Sequence, residues 1–133
     1  MRNSKQSETI KANVMGRYDH PTAAMVYESV RREMPNVSLG TVYRNLDRLV
    51  ANDEILRISV PNQADRFDAT ISEHYHLVCE KCGGVSDVES ARVTRALKRA
   101  FCESSGFAIS EIQLVAMGRC ESCNSNKGGI CQN

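Results

Sequence analysis

Apolar residues recur through the first half of the chain at intervals of three and four, the period of helices with one buried face. Ile10 and Val14 share a face of a short N-terminal helix. Thr22 is placed to cap a second helix, along which Val26, Val30 and Met34 repeat at four-residue spacing. Met34-Pro35-Asn36 stops it, because the residue before a proline is pushed out of the α region. Ser38 can cap a third helix, in which Leu39, Val42, Leu46 and Leu49 form one stripe. The opposite face carries Thr41, Arg44, Asn45 and Arg48. Ile55 to Val60, a turn at Pro61-Asn62, and Arg66 to Asp68 then predict a two-stranded hairpin. Three helices followed by such a hairpin form a winged helix-turn-helix. A polar face opposite an apolar stripe is also what any solvated helix shows, so this pattern alone leaves DNA reading open.

The second half has a different character. His74 to Val78 and Gly84 to Val88 predict strands on either side of a tight knuckle. Ala91 to Ser104 predicts a helix with Val93, Leu97 and Phe101 on one face and Gly106 as its stop. Phe107 to Met117 predicts a strand, with Ile112 and Leu114 on one side. The fold class is therefore α+β: a winged-helix domain over 1–66, a hinge over 67–73, a small α/β domain over 74–123 and a flexible polar tail over 124–133. The second domain is too small to bury much core alone, and needs a cross-link, a second subunit, or both.

Composition narrows the compartment more than the function. The 133 residues are 41% hydrophobic and 25% charged, and no apolar run approaches the roughly 20 residues of a membrane span. The polar start, Met1 to Lys11, lacks the apolar core of a signal peptide, so a cytoplasmic protein without membrane association is expected. Net charge is +1, with ten Lys/Arg and eight Asp/Glu in residues 1–66 against seven and eight in 67–133. Any DNA binding must come from where the cations sit and not from bulk charge.

Six cysteines in a reducing compartment point to metal or redox chemistry before disulfides. Cys79-Glu-Lys-Cys82 and Cys120-Glu-Ser-Cys123 form two knuckles separated by 37 residues. Each two-residue gap lets both thiolates face one ion, and together they supply a closed tetrahedral S4 shell suited to structural Zn²⁺. Two redox dithiols are the alternative, without the βαβ context such chemistry usually occupies. Cys102 and Cys131 fall outside the pattern. His74 and His76, two of the three histidines, stand at i and i+2, which on a strand aims both imidazoles at one face and Cys79 at the other. With His20, Asp68 and Asp87 they would form an N/O donor set for Fe²⁺, Mn²⁺ or Zn²⁺. Each of these alone is as well explained as a surface or capping residue.

Several segments, in order, resemble the ferric uptake regulator (Fur) superfamily. They are His20-Pro-Thr-Ala23, Pro35 through Leu46, Arg66-Phe-Asp68, His74-Tyr-His76 and the two cysteine knuckles. The resemblance implies an N-terminal winged helix joined to a C-terminal dimerisation domain. It implies structural zinc on Cys79, Cys82, Cys120 and Cys123, and a regulatory Fe²⁺ or Mn²⁺ on His20, Asp68, His74, His76 and Asp87. A homodimer would bind a palindromic operator in double-stranded DNA through Ser38, Thr41, Tyr43, Arg44, Asn45 and Arg48. Aspartate at positions 68 and 87 resembles the peroxide-sensing PerR branch, where iron sensors usually have glutamate. That branch implies oxidation of His20 or His74 to 2-oxo-histidine by peroxide at bound Fe²⁺, opening of the metal clamp and derepression of oxidative-stress genes.

The chain departs from the family pattern at its start. Arg2-Asn-Ser-Lys-Gln-Ser7 stands where relatives have a segment resembling Arg-x-Thr-Pro-Gln-Arg, preceded by a further helix. The expectation is of a missing basic helix, or of an upstream start codon. The nearer alternative function is a Fur-type metal-uptake regulator that responds to reversible metal binding. The farther is a metal-dependent hydrolase or peroxidase, against which no spare general base appears; the expectation is that the protein is not an enzyme.

Overall fold

The computed structural model describes residues 2–124, and side chains from residue 5 onward. The expected tail, apart from Asn124, and Cys131 lie outside the described residues. The chain divides between Ser72 and Glu73 into two compact units.

The first unit holds three helices and a hairpin: α1 (Arg2–Met15), α2 (Ala23–Val30), α3 (Leu39–Ala51), β1 (Leu56–Ile58) and β2 (Arg66–Asp68). The expected apolar faces meet in one core of Ile10, Val14, Val26, Val30, Val42, Leu46, Leu49, Ile55 and Phe67. Capping defines where the helices begin. Thr22 and Ser38 both sit in extended backbone and accept the amides of Met25 and Thr41, which satisfies donors the first turn leaves open. α2 ends at Val30, earlier than its apolar repeat suggests. Glu33 and Met34 both donate to the Val30 carbonyl, so the chain tightens into a closing turn in which Met34 still packs against the core. β1 and β2 pair antiparallel, Arg57 opposite Phe67, and Asn62 supplies a left-handed residue (φ 62°) at the turn. Phe67 and Asp68, expected to open a hinge, belong to this hairpin, and Phe67 is buried.

Two positions of α3 differ from expectation. At 100° per residue, Leu39 and Asn45 flank Val42 at about 60° on either side, so periodicity alone does not separate them. Leu39, in the first turn, is exposed, whereas Asn45 is only 6% exposed. Asn45 faces α1, where its Oδ1 accepts from Ser7 Oγ at 2.6 Å while its Nδ2 donates to the Thr41 carbonyl at 2.8 Å. Its assignment to the polar face is therefore corrected: it is an interior polar link between helices.

The second unit contains β3 (Tyr75–Cys79), β4 (Val85–Val88), α4 (Ala91–Ser105) and β5 (Val115–Gly118). The sheet order is β4-β3-β5, antiparallel on one side of β3 and parallel on the other. Ser90 caps the start of α4, and Gly106 ends it in the left-handed region at φ 77°, where a side chain would be strained. Tyr75 fastens β3 to α4 through its hydroxyl, which hydrogen-bonds Thr94 Oγ1.

The expected strand over 107–117 is shorter than its sequence pattern. Only Val115–Gly118 forms it, because the five-residue β3 offers a ladder to no more of the segment. The apolar stripe of α4 also does not become core: the helix has no buried residue, and Val93, Phe101 and the following Phe107 are exposed.

Candidate metal centres

The sulfur atoms of Cys79, Cys82, Cys120 and Cys123 all lie within 4.8 Å of one another. Local backbone geometry brings them there. Cys79 ends β3, the Gly83 amide closes a turn onto the Cys79 carbonyl, and left-handed Gly83 (φ 77°) reverses the chain into β4. On the other side, β5 runs parallel to β3 with Gly118 opposite Cys79, so the chain leaving β5 delivers Cys120 beside the first knuckle. Glu80 N donates to the Gly118 carbonyl at 2.7 Å and locks that register.

The electrostatics of the four thiols are divided. Cys79 is lowered to about 6 by backbone amides, those of Cys120 and Cys82 first. Cys123 is pushed up to about 12, chiefly by its hydrogen bond with the Cys120 thiol and then by burial. One sulfur is thus stabilised as an anion while another keeps its proton among neighbours. Four thiolates at this spacing repel unless a cation sits among them, and a soft-tolerant divalent ion with tetrahedral preference fits the donor set. Cys102 stands apart, exposed on α4.

In the second unit the two histidines also converge. The His74 and His76 rings lie 4.5 Å apart between centroids, edge to face. Their Nε2 atoms stand 3.6 and 3.5 Å from the same Asp87 oxygen, Oδ1. The register explains this: His76 is directly opposite Asp87 on β4, and His74 lies two residues before His76, just ahead of the strand.

In the first unit His20 and Asp68 form a buried pair, His20 Nε2 lying 3.3 Å from Asp68 Oδ2. Phe67 N bonds the Pro21 carbonyl, and Arg66 donates to the His20 carbonyl at 3.0 Å, which draws the 20–22 segment onto β2. Thr70 N bonds Asp68 Oδ1 at 2.9 Å and leaves Oδ2 toward the imidazole. His20 itself has φ 52°, a conformation uncommon for a side-chain-bearing residue and found where the surroundings over-determine it. The hold of Arg66 on this carbonyl left no trace in sequence pattern, since it spans 46 residues.

The α3 face expected to meet DNA presents Ser38, Tyr43, Arg44 and Arg48 exposed and Thr41 half-buried, without Asn45. Arg57 was not anticipated. It pairs with Asp47 of α3 and with Asp65 beside β2 (3.2 Å), and lies 5.2 Å over the Phe67 ring. No helix of the described residues is long and apolar enough to cross a membrane.

Comparison with known proteins follows the same lines. Residues 1–117 match the model of the ferric uptake regulator family. The peroxide operon regulator of Bacillus subtilis is 28% identical over 127 residues, spanning 96% of this chain and 87% of that protein. The crystal structure of the Campylobacter jejuni peroxide stress regulator superposes with a TM-score of 0.74 at 27% identity, over 92% of this chain and 91% of that one. A zinc-bound manganese uptake regulator superposes with a TM-score of 0.70 at 25% identity, over 90% of this chain and 91% of that one. With the winged helix, the paired cysteine knuckles and a family match over most of its length, the chain belongs to the ferric uptake regulator family.

Proposed function

We propose that this protein is a metal-dependent DNA-binding repressor that senses peroxide, acting in the cytoplasm as a homodimer and not as an enzyme. The observation that carries the reading is the N/O donor set, His20 with Asp68 and His74 with His76 and Asp87, in which both carboxylates are aspartates. The naming of the Bacillus and Campylobacter relatives as peroxide regulators supports the same branch.

In this reading Zn²⁺ occupies Cys79, Cys82, Cys120 and Cys123 and serves as scaffold, which the convergence of the four sulfurs within 4.8 Å of one another supports. Fe²⁺ or Mn²⁺ takes its ligands from both parts of the chain: His20 and Asp68, with His74, His76 and Asp87. A metal that needs both sets binds one arrangement of the two units better than others, and so shifts the population toward it. The exposed apolar stripe of α4 and the segment 107–114, which forms no strand within one copy, support a second copy of the chain as the partner of the C-terminal unit. Two-fold symmetry then sets two α3 helices on the half-sites of a palindrome. Ser38, Tyr43, Arg44 and Arg48 contact the duplex, with Thr41 behind them in the first turn of the helix; Asn45 does not, being buried.

Bound Fe²⁺ would supply the one-electron chemistry that turns peroxide on a ligand imidazole. Net, His20 or His74 gains one oxygen from H₂O₂ to become 2-oxo-histidine, and water leaves. The modified ring is a poorer nitrogen donor, and the metal-favoured state is lost. The test pairs electrophoretic mobility shift with peptide mass spectrometry. Mn²⁺-loaded protein should retain operator DNA with or without peroxide. Fe²⁺-loaded protein should lose it after peroxide, with one added oxygen on the peptide of His20 or His74. Retention of DNA by peroxide-treated Fe²⁺ protein, or release without added oxygen on either peptide, refutes the sensor.

A further inference from the structure

We infer that Thr41 is a positioning residue that holds the Arg44 guanidinium in place for reading DNA before any DNA is bound. The inference rests on the DNA-binding reading above and adds to it a division of labour within α3.

The first turn of α3 contains a chain of hydrogen bonds. Ser38 Oγ accepts the Thr41 amide at 3.1 Å as the cap. Thr41 Oγ1 lies 2.9 Å from Ser38 Oγ. Arg44 Nη2 donates to Thr41 Oγ1 at 3.0 Å. A guanidinium can only donate, so Thr41 Oγ1 is the acceptor in that contact, while either hydroxyl can supply the proton between Thr41 and Ser38. The three side chains are therefore linked from arginine through threonine to the capping serine.

Gly40 lies against this arrangement. A Cβ built there would stand 3.4 Å from Arg44 Nη1 and 3.9 Å from Ser38 Oγ. The guanidinium thus lies over the one residue of the turn that has no side chain. At these distances an added methyl would make ordinary van der Waals contact, so Gly40 lets the guanidinium lie close to the backbone without being required for it.

One of the five guanidinium donors is used by Thr41, which leaves the others for an acceptor on a duplex. A long, rotamer-rich side chain normally loses freedom when it binds. Restricting it beforehand removes part of that cost, worth roughly two- to tenfold in affinity for one side chain. The gain belongs to the site where Arg44 reads a base, not to the sequence-independent attraction of phosphates.

The test uses the full-length, Mn²⁺-loaded protein and the duplex it enriches from a random library. Thr41→Val keeps the shape and removes the acceptor; Thr41→Ser keeps the hydroxyl. Thr41→Val should bind the enriched duplex roughly two- to tenfold more weakly, bind a scrambled duplex as wild type does, and keep the same salt dependence. Thr41→Ser should restore the affinity. In an Arg44→Ala background Thr41→Val should change nothing, because Thr41 acts through Arg44. Independently of DNA, ¹⁵N relaxation should show the Arg44 Nε–H ordered in the free protein and mobile in Thr41→Val. An undiminished loss in the Arg44→Ala background makes Thr41 a direct contact and overturns the inference. So does an Arg44 Nε–H equally mobile in wild type and Thr41→Val. If wild type enriches no duplex, the DNA-binding reading fails and this inference with it, an outcome separate from loss of coupling alone.

Discussion

Stripping the ion from the four-cysteine site should unfold the C-terminal unit and spare the N-terminal one. The core cluster lies wholly between Ile10 and Phe67. Among its described residues the second unit buries only Tyr75, Val78 and Cys79 of its apolar side chains, and none from α4. Each such side chain contributes about 1.5–3 kcal/mol, whereas a structural zinc ion contributes about 10–16 kcal/mol to a small domain at neutral pH. The cross-link also sits where it matters, joining the end of β3 to the chain that follows β5. Amide hydrogen exchange read by mass spectrometry, with a thiol reagent counting reactive cysteines, would follow the loss. After treatment with a strong chelator, peptides from 73–124 should lose protection as the four thiols become reactive, while peptides covering Ile10–Val14 and Val42–Leu49 keep theirs. Protection of 73–124 that survives reaction of all four thiols would refute a stapling role for the metal.

Three further outcomes test the N-terminal unit. Asn45→Ala should lower its stability by about 2 kcal/mol, two hydrogen bonds at roughly 1 kcal/mol each, measured by urea unfolding; a base-contacting Asn45 would instead cost operator affinity at unchanged stability. Arg57→Ala should cost about 1–2 kcal/mol, since two half-exposed ion pairs and a cation–π contact are lost, and the difference should shrink in 1 M salt. Asp19 is held below its ordinary value of 3.8 by hydrogen bonds from Arg17, which outweigh its partial burial. Its folded pKa being the lower, the pair stabilises above the unfolded value and the contribution fades as pH falls through the folded one. Asp19→Asn should remove that part of the acid sensitivity, under about 1 kcal/mol because the carboxylate is half exposed, and acid titration of unfolding in both proteins checks it.

The molecule was legible in sequence wherever one local rule decided the outcome. Two-residue gaps placed Cys79 beside Cys82 and Cys120 beside Cys123, and capping chemistry placed the starts of α2 and α3. The i, i+2 spacing put His74 and His76 on one side, and cross-strand register then fixed Asp87 against them. Where two partners compete for one position, the local rule gives no answer. Asn45 lies at the boundary of the α3 stripe, and whether it faces water or α1 depends on Ser7, 38 residues away. Leu39 lies at the mirror position and goes to the surface. Arg57 and Arg66 are charged residues on short strands, which composition assigns to solvent, yet each is held by groups from another element. The C-terminal unit shows the opposite failure. Periodicity correctly marked Val93, Leu97 and Phe101 as one apolar face and marked 107–117 as strand-like, but a pattern states only that a face needs covering and a strand needs a neighbour. Within one copy of this unit α4 buries nothing and only four residues find a ladder. An apolar face and a β-patterned segment, both left uncovered among the described residues of a unit whose remaining elements are well formed, are what the proposed homodimer would complete.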